Sequence, residues 1–203
     1  MKSAAASLNP SVGIMQRIFL YSVHPWEPTL MFGALGGGVI WLSLAQEARS
    51  WSSALLLIVL GIFSWTFLEY LLHRFVFHLV REPWRTKVSG RHLDHHRDTE
   101  IKELILAPAL VSLIVSGLVF LIFWGLSGNT NIALLLLGGL YLGYVAYEWC
   151  HYATHQYALN FPLGRYLKRY HLLHHFKNPN GTFGVTSPFW DIVFRTTYRP
   201  KRG

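Results

Sequence analysis

The chain has 203 residues, 52% of them hydrophobic, 15% aromatic and only 14% charged, where soluble domains carry about 25% charged residues. That composition excludes an ordinary soluble domain, which needs charged sequence to coat its core, and predicts an all-α, polytopic membrane protein. The formal charge is +8 and there is one cysteine, Cys150, which rules out an internal disulfide or a cysteine-rich metal site.

The N-terminal tail, 1–27, has no apolar stretch of signal-peptide type before Pro10, so no cleavable leader is expected. Residues 14–21 read as an interfacial amphipathic helix. A bilayer core about 30 Å thick takes roughly 20 apolar helical residues. Charge-free runs at 28–46 and 50–68 each supply 19, and a third, 104–147, supplies 44, with turn residues at 127–131 near its middle. The expectation is a membrane domain over 28–203 with four spans, at about 28–46, 50–72, 104–126 and 131–150. The spacings Gly33 to Gly37 and Gly139 to Gly143 suit close helix packing or dimerisation.

Four spans put the N-terminal tail, the 69–103 segment and the C-terminal segment on one side. Two basic residues in the tail, seven from Arg74 to Lys102 and eight from Arg165 to Arg202 leave only Arg49 of the 18 opposite. The positive-inside rule makes the crowded face cytoplasmic. The basic residues flank spans without a recognised binding motif, so no nucleic-acid partner is expected.

Ten of the 11 histidines fall in four boxes: His73 and His78; His92, His95 and His96; His151 and His155; His171, His174 and His175. All four lie at the cytoplasmic side, in 73–96 and 151–175. Spacings of three and four place the members of the last three boxes near one helical face. His73 and His78, five apart, diverge on an ideal helix and converge only if the helix frays. Ten neutral imidazoles exceed what one ion accepts and point to two neighbouring metal ions. A bis-His haem needs fewer ligands, set deeper in the spans; a zinc protease needs HExxH, which is absent. Glu69, four before His73, and Glu148, three before His151, read either as acceptors of the N–H groups of metal-ligating imidazoles or as solvated interfacial acids. Cys150 reads as a packing residue. Phe183, Phe189, Trp190 and Phe194 either cap the site and line an acyl entrance or form an interfacial strip; Tyr147 is a further candidate substrate contact.

The pattern HX4H, HX2HH, HX3H, HX2HH over 61–198 resembles the fatty acid hydroxylase/sterol desaturase superfamily. WTFLEYLLHRFVFH at 65–78, with FGVT at 183–186 and FWD at 189–191, is most similar to the fatty acid 2-hydroxylases. The resemblance implies two irons shared by the ten histidines, zinc being accommodated by the same donors, and O2 as co-substrate. It also implies hydroxylation of a lipid C–H bond, at carbon 2 of a fatty acyl chain, free or in a sphingolipid. Sterol or carotenoid hydroxylation or desaturation are alternatives within the superfamily, and a non-enzymatic metal or haem binder is the alternative outside it. Eukaryotic 2-hydroxylases often carry a fused cytochrome b5 domain with an HPGG motif; His24-Pro25-Trp26 is not that motif. The expectation is therefore a separate electron donor of cytochrome b5 or ferredoxin type, docked on the basic face, in a bacterial inner membrane.

Overall fold

The computed structural model describes residues 24–46, 49–78 and 89–198; the expected helix at 14–21 lies outside them. In chain order the helices are α1 (Trp26–Gln46), α2 (Trp51–Leu71), continued by a π-helical segment (Leu72–His78), α3 (Gly90–Arg97), α4 (Lys102–Ile105), α5 (Ala109–Ser127), α6 (Thr130–Gln156), α7 (Pro162–Phe176) and α8 (Phe189–Val193). No strand occurs among the described residues. Four helices are long and apolar enough to cross a membrane: α1, α2 with its π-helical continuation, α5 and α6. Large apolar side chains such as Leu30, Trp41, Leu55, Leu118 and Leu126 point outward from them, as a lipid solvent allows.

Local chemistry sets the helix ends. Ser50 caps α2 by accepting the Ser53 N–H, and Asn129 caps α6 by accepting that of Ile132 at 3.0 Å. Between α5 and α6, Gly128 adopts φ +62° and donates its N–H to Trp124 O, so the 127–131 turn chemistry makes the helical hairpin. The third charge-free run begins at Leu104, yet α5 starts only at Ala109. Pro108 has no N–H and biases Ala107 away from helix, and Ile105 and Leu106 are buried instead of facing lipid.

α6 is the hub. Half of its most apolar window is buried, against 11–22% for the other three spans, and it packs between α1 and α2 with α5 alongside. Backbone contact at the α2–α6 crossing requires glycine: a Cβ on Gly61 would lie 2.2 Å from Leu136 O, and one on Gly139 2.1 Å from Ile58 O. The Gly139–Gly143 spacing thus serves packing within the chain. On α1 it is Gly36 that meets α6, while Gly33 and Gly37 face open space. Hydroxyls inside the bundle pair off, Ser116 with Tyr141 and Ser112 with Tyr144, each at 3.1 Å, which satisfies polar groups that lipid cannot. Every histidine box sits at the end of the bundle where α1 and α5 begin and α2 and α6 finish.

Candidate metal centre

The ten box histidines form two groups of five, each with ligand atoms within 4.8 Å of one another: His73, His78, His92, His96 and His174, and His95, His151, His155, His171 and His175. In the first, Nε2 atoms close a ring: His78 to His92 at 3.0 Å, and His92 to His96, His96 to His174 and His174 to His78 at 3.1 Å each. The corners of a square with such edges lie about 2.2 Å from its centre, close to a metal–imidazole distance. In the second, His95, His155, His171 and His175 are chained at 3.1, 2.8 and 3.0 Å. The fifth members, His73 and His151, are buried with Nε2 unpartnered among the described residues. Buried nitrogen lone pairs brought this close repel one another unless protons or a cation lie between them. The donor set therefore fits two metal ions.

Helix geometry explains the sharing. At 3.6 residues per turn, positions i and i+4 of an HX2HH box are about 40° apart, while i+3 is turned about 60° the other way. His92 and His96 accordingly serve the first cluster and His95 the second; His171 and His175 serve the second and His174 the first. The two triple boxes are divided, each bridging both clusters, and their helices meet where the His96 and His175 rings stack at 4.0 Å. His73 and His78 converge without fraying. The chain widens to a π-helix over Leu72–His78, whose i→i+5 repeat brings residues five apart onto one face.

Burial keeps the imidazoles of α3 and α7 neutral. It is the main cause in every case, seconded by neighbouring imidazoles, that lowers His92 and His171 well below the ordinary value near 6.5. His95 is brought to about 3 and His96 to about 2, and His175 is lowered further. His174 falls to about 4, burial being opposed by its bond to Gly181 O. Neutral imidazole is the form that ligates metal.

The carboxylates act elsewhere than on imidazoles. Glu69 accepts the N–H groups of Val185 and Thr186 at 2.5 and 3.0 Å and the Thr186 hydroxyl at 2.5 Å. Glu148 accepts the Ala107 N–H at 3.1 Å. Both are almost wholly buried, so neither is a solvated acid. Irregular backbone in a low-dielectric interior needs acceptors for its N–H groups, and these two supply them. Imidazole N–H groups go to main-chain carbonyls, His73 Nδ1 to Phe183 O at 2.5 Å and His174 Nδ1 to Gly181 O at 2.8 Å. Sequence reasoning offered this segment as a cap of the site but gave no role to the residue organising its turn, Asp191, although Asp191 is the only acid after Glu148. A lone carboxylate in an aromatic segment was the available signal.

An apolar cleft between α1, α2, α5 and α6, lined by Trp65, Leu68, Leu72, Val111 and Leu140, reaches Phe77 and Tyr147. Phe77 stacks on His92 of the first cluster at 4.9 Å, and Tyr147 lies 5.6 Å from His151 of the second, so the cleft ends against both. Phe183 and Trp190 are not among its lining residues. Phe183 is 2% exposed and backs the His73, His78 and His174 rings; Trp190 packs on Phe63 and Phe67 of α2 and bonds Thr66. Cys150 packs with its thiol 3.5 Å from Val185 O. The eleventh histidine, His24, stands apart against Trp149 and Tyr152.

The model of the family described as fatty acid hydroxylase matches residues 58–196. The dihydroceramide fatty acyl 2-hydroxylase FAH1 of Arabidopsis thaliana is 38% identical over 148 residues, covering 69% of this chain and 60% of that protein. The ceramide very long chain fatty acid hydroxylase SCS7 of Saccharomyces cerevisiae is 36% identical over 163 residues, covering 72% and 39%. The fatty acid 2-hydroxylase of Homo sapiens is 32% identical over 151 residues, covering 69% and 39%. The chain thus spans between about two fifths and three fifths of these relatives' length. The solved structure of full-length scs7p, in which only the hydroxylase domain is visible, superposes with a TM-score of 0.79 at 28% identity over 94% of this chain and 72% of that one. With a matched segment holding all ten clustered histidines, this chain belongs to the fatty acid hydroxylase family.

Proposed function

We propose that the chain hydroxylates carbon 2 of a fatty acyl chain, free or in a sphingolipid, with O2 as co-substrate. The observation that carries this reading is the apolar cleft whose inner residues Phe77 and Tyr147 touch His92 and His151, one from each five-histidine cluster. The names of the relatives, a dihydroceramide fatty acyl 2-hydroxylase and a ceramide very long chain fatty acid hydroxylase among them, support the substrate class. The ten histidines would hold two iron ions, which when bound would supply the activation of O2. One oxygen atom enters the C–H bond and the other leaves as water, with two electrons and two protons consumed.

Everything else falls to the protein. The cleft walls take the methylene chain, Phe77 and Tyr147 limit its approach to the histidines, and a fixed carbon is thereby presented to the reacting centre. The polar head stays at the interface. Electrons come from a donor of cytochrome b5 or ferredoxin type. A groove on α7 lined by Arg165, Lys168, Arg169 and Lys177 around Leu172 and Leu173 adjoins the last histidine box and suits an acidic donor face. The charge distribution favours an active site on the cytoplasmic face of the membrane.

The test is mass spectrometry of hydrolysed lipids from cells expressing the chain and a donor under 18O2. A product carrying one 18O at acyl carbon 2 is expected. Label on a sterol or carotenoid instead would replace the acyl reading, and absence of any labelled lipid together with a haem Soret band would overturn the oxygenase reading.

A further inference from the structure

Asp191 is fully buried and is the anchor of the turn that faces the first cluster. Its Oδ1 accepts the Phe183 N–H at 2.9 Å and the Thr196 hydroxyl at 2.6 Å; its Oδ2 accepts the Gly184 N–H at 2.7 Å. The peptide joining Phe183 to Gly184 is therefore bonded at both ends. Its N–H points to the carboxylate and its carbonyl takes the N–H of His73. A second peptide does the same for His174: Gly181 O accepts from His174 Nδ1, and the Thr182 N–H of that peptide donates to Thr196 O at 2.8 Å. Thr196 is fixed by Asp191 through its hydroxyl and through its own N–H, which donates to Asp191 O at 2.8 Å.

The turn is held in a costly shape. Thr182, a β-branched residue, sits at φ 57°, in the left-handed region that such side chains avoid. A Cβ on Gly184 would meet Ser187 O at 2.0 Å, and one on Gly181 would meet Thr196 O at 2.5 Å. Backbone kept in such a conformation needs surroundings that over-determine it, and here those surroundings are the bonds to Asp191 and, at Val185 and Thr186, to Glu69.

We propose that Asp191 is a positioning residue for the first metal, acting through these two peptides to fix the tautomer and orientation of His73 and His174. This rests on the reading that the two clusters bind metal. With Nδ1–H committed to a carbonyl, each ring turns its Nε2 lone pair to the cluster. A carboxylate at the far end of the peptide polarises that carbonyl and raises the imidazole's donor strength, as a direct carboxylate partner would. The second cluster lacks the device: Nδ1 of His95, His151, His171 and His175 is unpartnered among the described residues. Asp191 thus makes the two ions inequivalent.

The test is release of metal to a chelator from the purified full-length protein loaded with zinc, comparing wild type with Asp191→Asn, which keeps the size and turns an N–H donor toward a backbone N–H. One of two ions is expected to leave several-fold and up to about tenfold faster, the low end of the range for losing a direct partner of a ligating imidazole because Asp191 acts one peptide further out, while the other keeps its wild-type rate and shows that the fold persists. Unchanged release of both ions, or equal acceleration of both, overturns the proposal. If Asp191→Asn does not fold, Thr196→Val decides by the same readout: a smaller acceleration confined to one ion supports the proposal, and an unchanged or uniform rate overturns it. A wild-type protein holding fewer than two ions would sink the dimetal reading itself.

Discussion

Replacing His174 with alanine is expected to abolish lipid hydroxylation and to strip one metal ion from each chain while the second stays. His174 is fully buried, and its Nε2 closes the first ring against both His78 and His96 at 3.1 Å. Its loss opens that ring on two sides and leaves Gly181 O without its imidazole donor. Losing a ligand's hydrogen-bond partner costs roughly 10–100-fold in metal affinity or activity, so losing the ligand itself should exceed the upper end of that range. His174 itself lies on α7, outside the four spans, so the variant should still enter the membrane. His24→Ala is the matched control, since His24 lies outside both clusters; it should keep its metals and its activity. Full turnover by His174→Ala would remove the last box from the site.

Acid should unfold the metal-free protein far sooner than it affects the loaded one. His95 and His174 are buried with values near 3 and 4, against about 6.5 in an unfolded chain. Below about 6.5 the unfolded chain binds protons that these folded imidazoles refuse, so stability falls as pH drops, by about 1.4 kcal/mol per pH unit for each such group. Above that pH neither state is charged and these groups contribute no slope. These groups should therefore lower the thermal midpoint of chelator-stripped protein as pH falls from 6.5 to 4, and alanine at His95 should reduce that acid sensitivity. Metal uptake should not show a midpoint near 6.5, because the ligands are already neutral there. A melt independent of pH down to 4 would mean that the imidazoles are not buried as described.

Much of the architecture was legible because bilayer physics is one-dimensional: long charge-free runs and a turn at 127–131 are enough to place four apolar helices. The same reading overran at the start of α5, because hydropathy counts Ile105 and Leu106 as lipid-facing when Pro108 has already broken the helix. The histidines announced themselves by number and spacing. How they divide did not, since a spacing rule treats HX2HH as one face, whereas the rotation between i+3 and i+4 decides which cluster each ring joins. HX4H was opaque for a related reason: α-helical geometry separates His73 from His78, and only the π-helical segment reunites them. Glu69 and Glu148 were near the right histidines in sequence, but backbone N–H groups contributed by the 105–107 and 183–186 segments claim their oxygens. Such demands come from irregular chain arriving from elsewhere, which local spacing does not encode. Asp191 belongs with them.

Two clusters of five histidine nitrogens, with the triple boxes shared between them, should hold two metal ions. Metal content per chain tests this most directly, measured by elemental mass spectrometry on the purified protein and on His174→Ala and His151→Ala. Two ions per chain are expected in the wild type, and one in each variant, drawn from opposite clusters. A single ion in the wild type, or both ions lost together from either variant, would contradict a centre built from two five-histidine clusters.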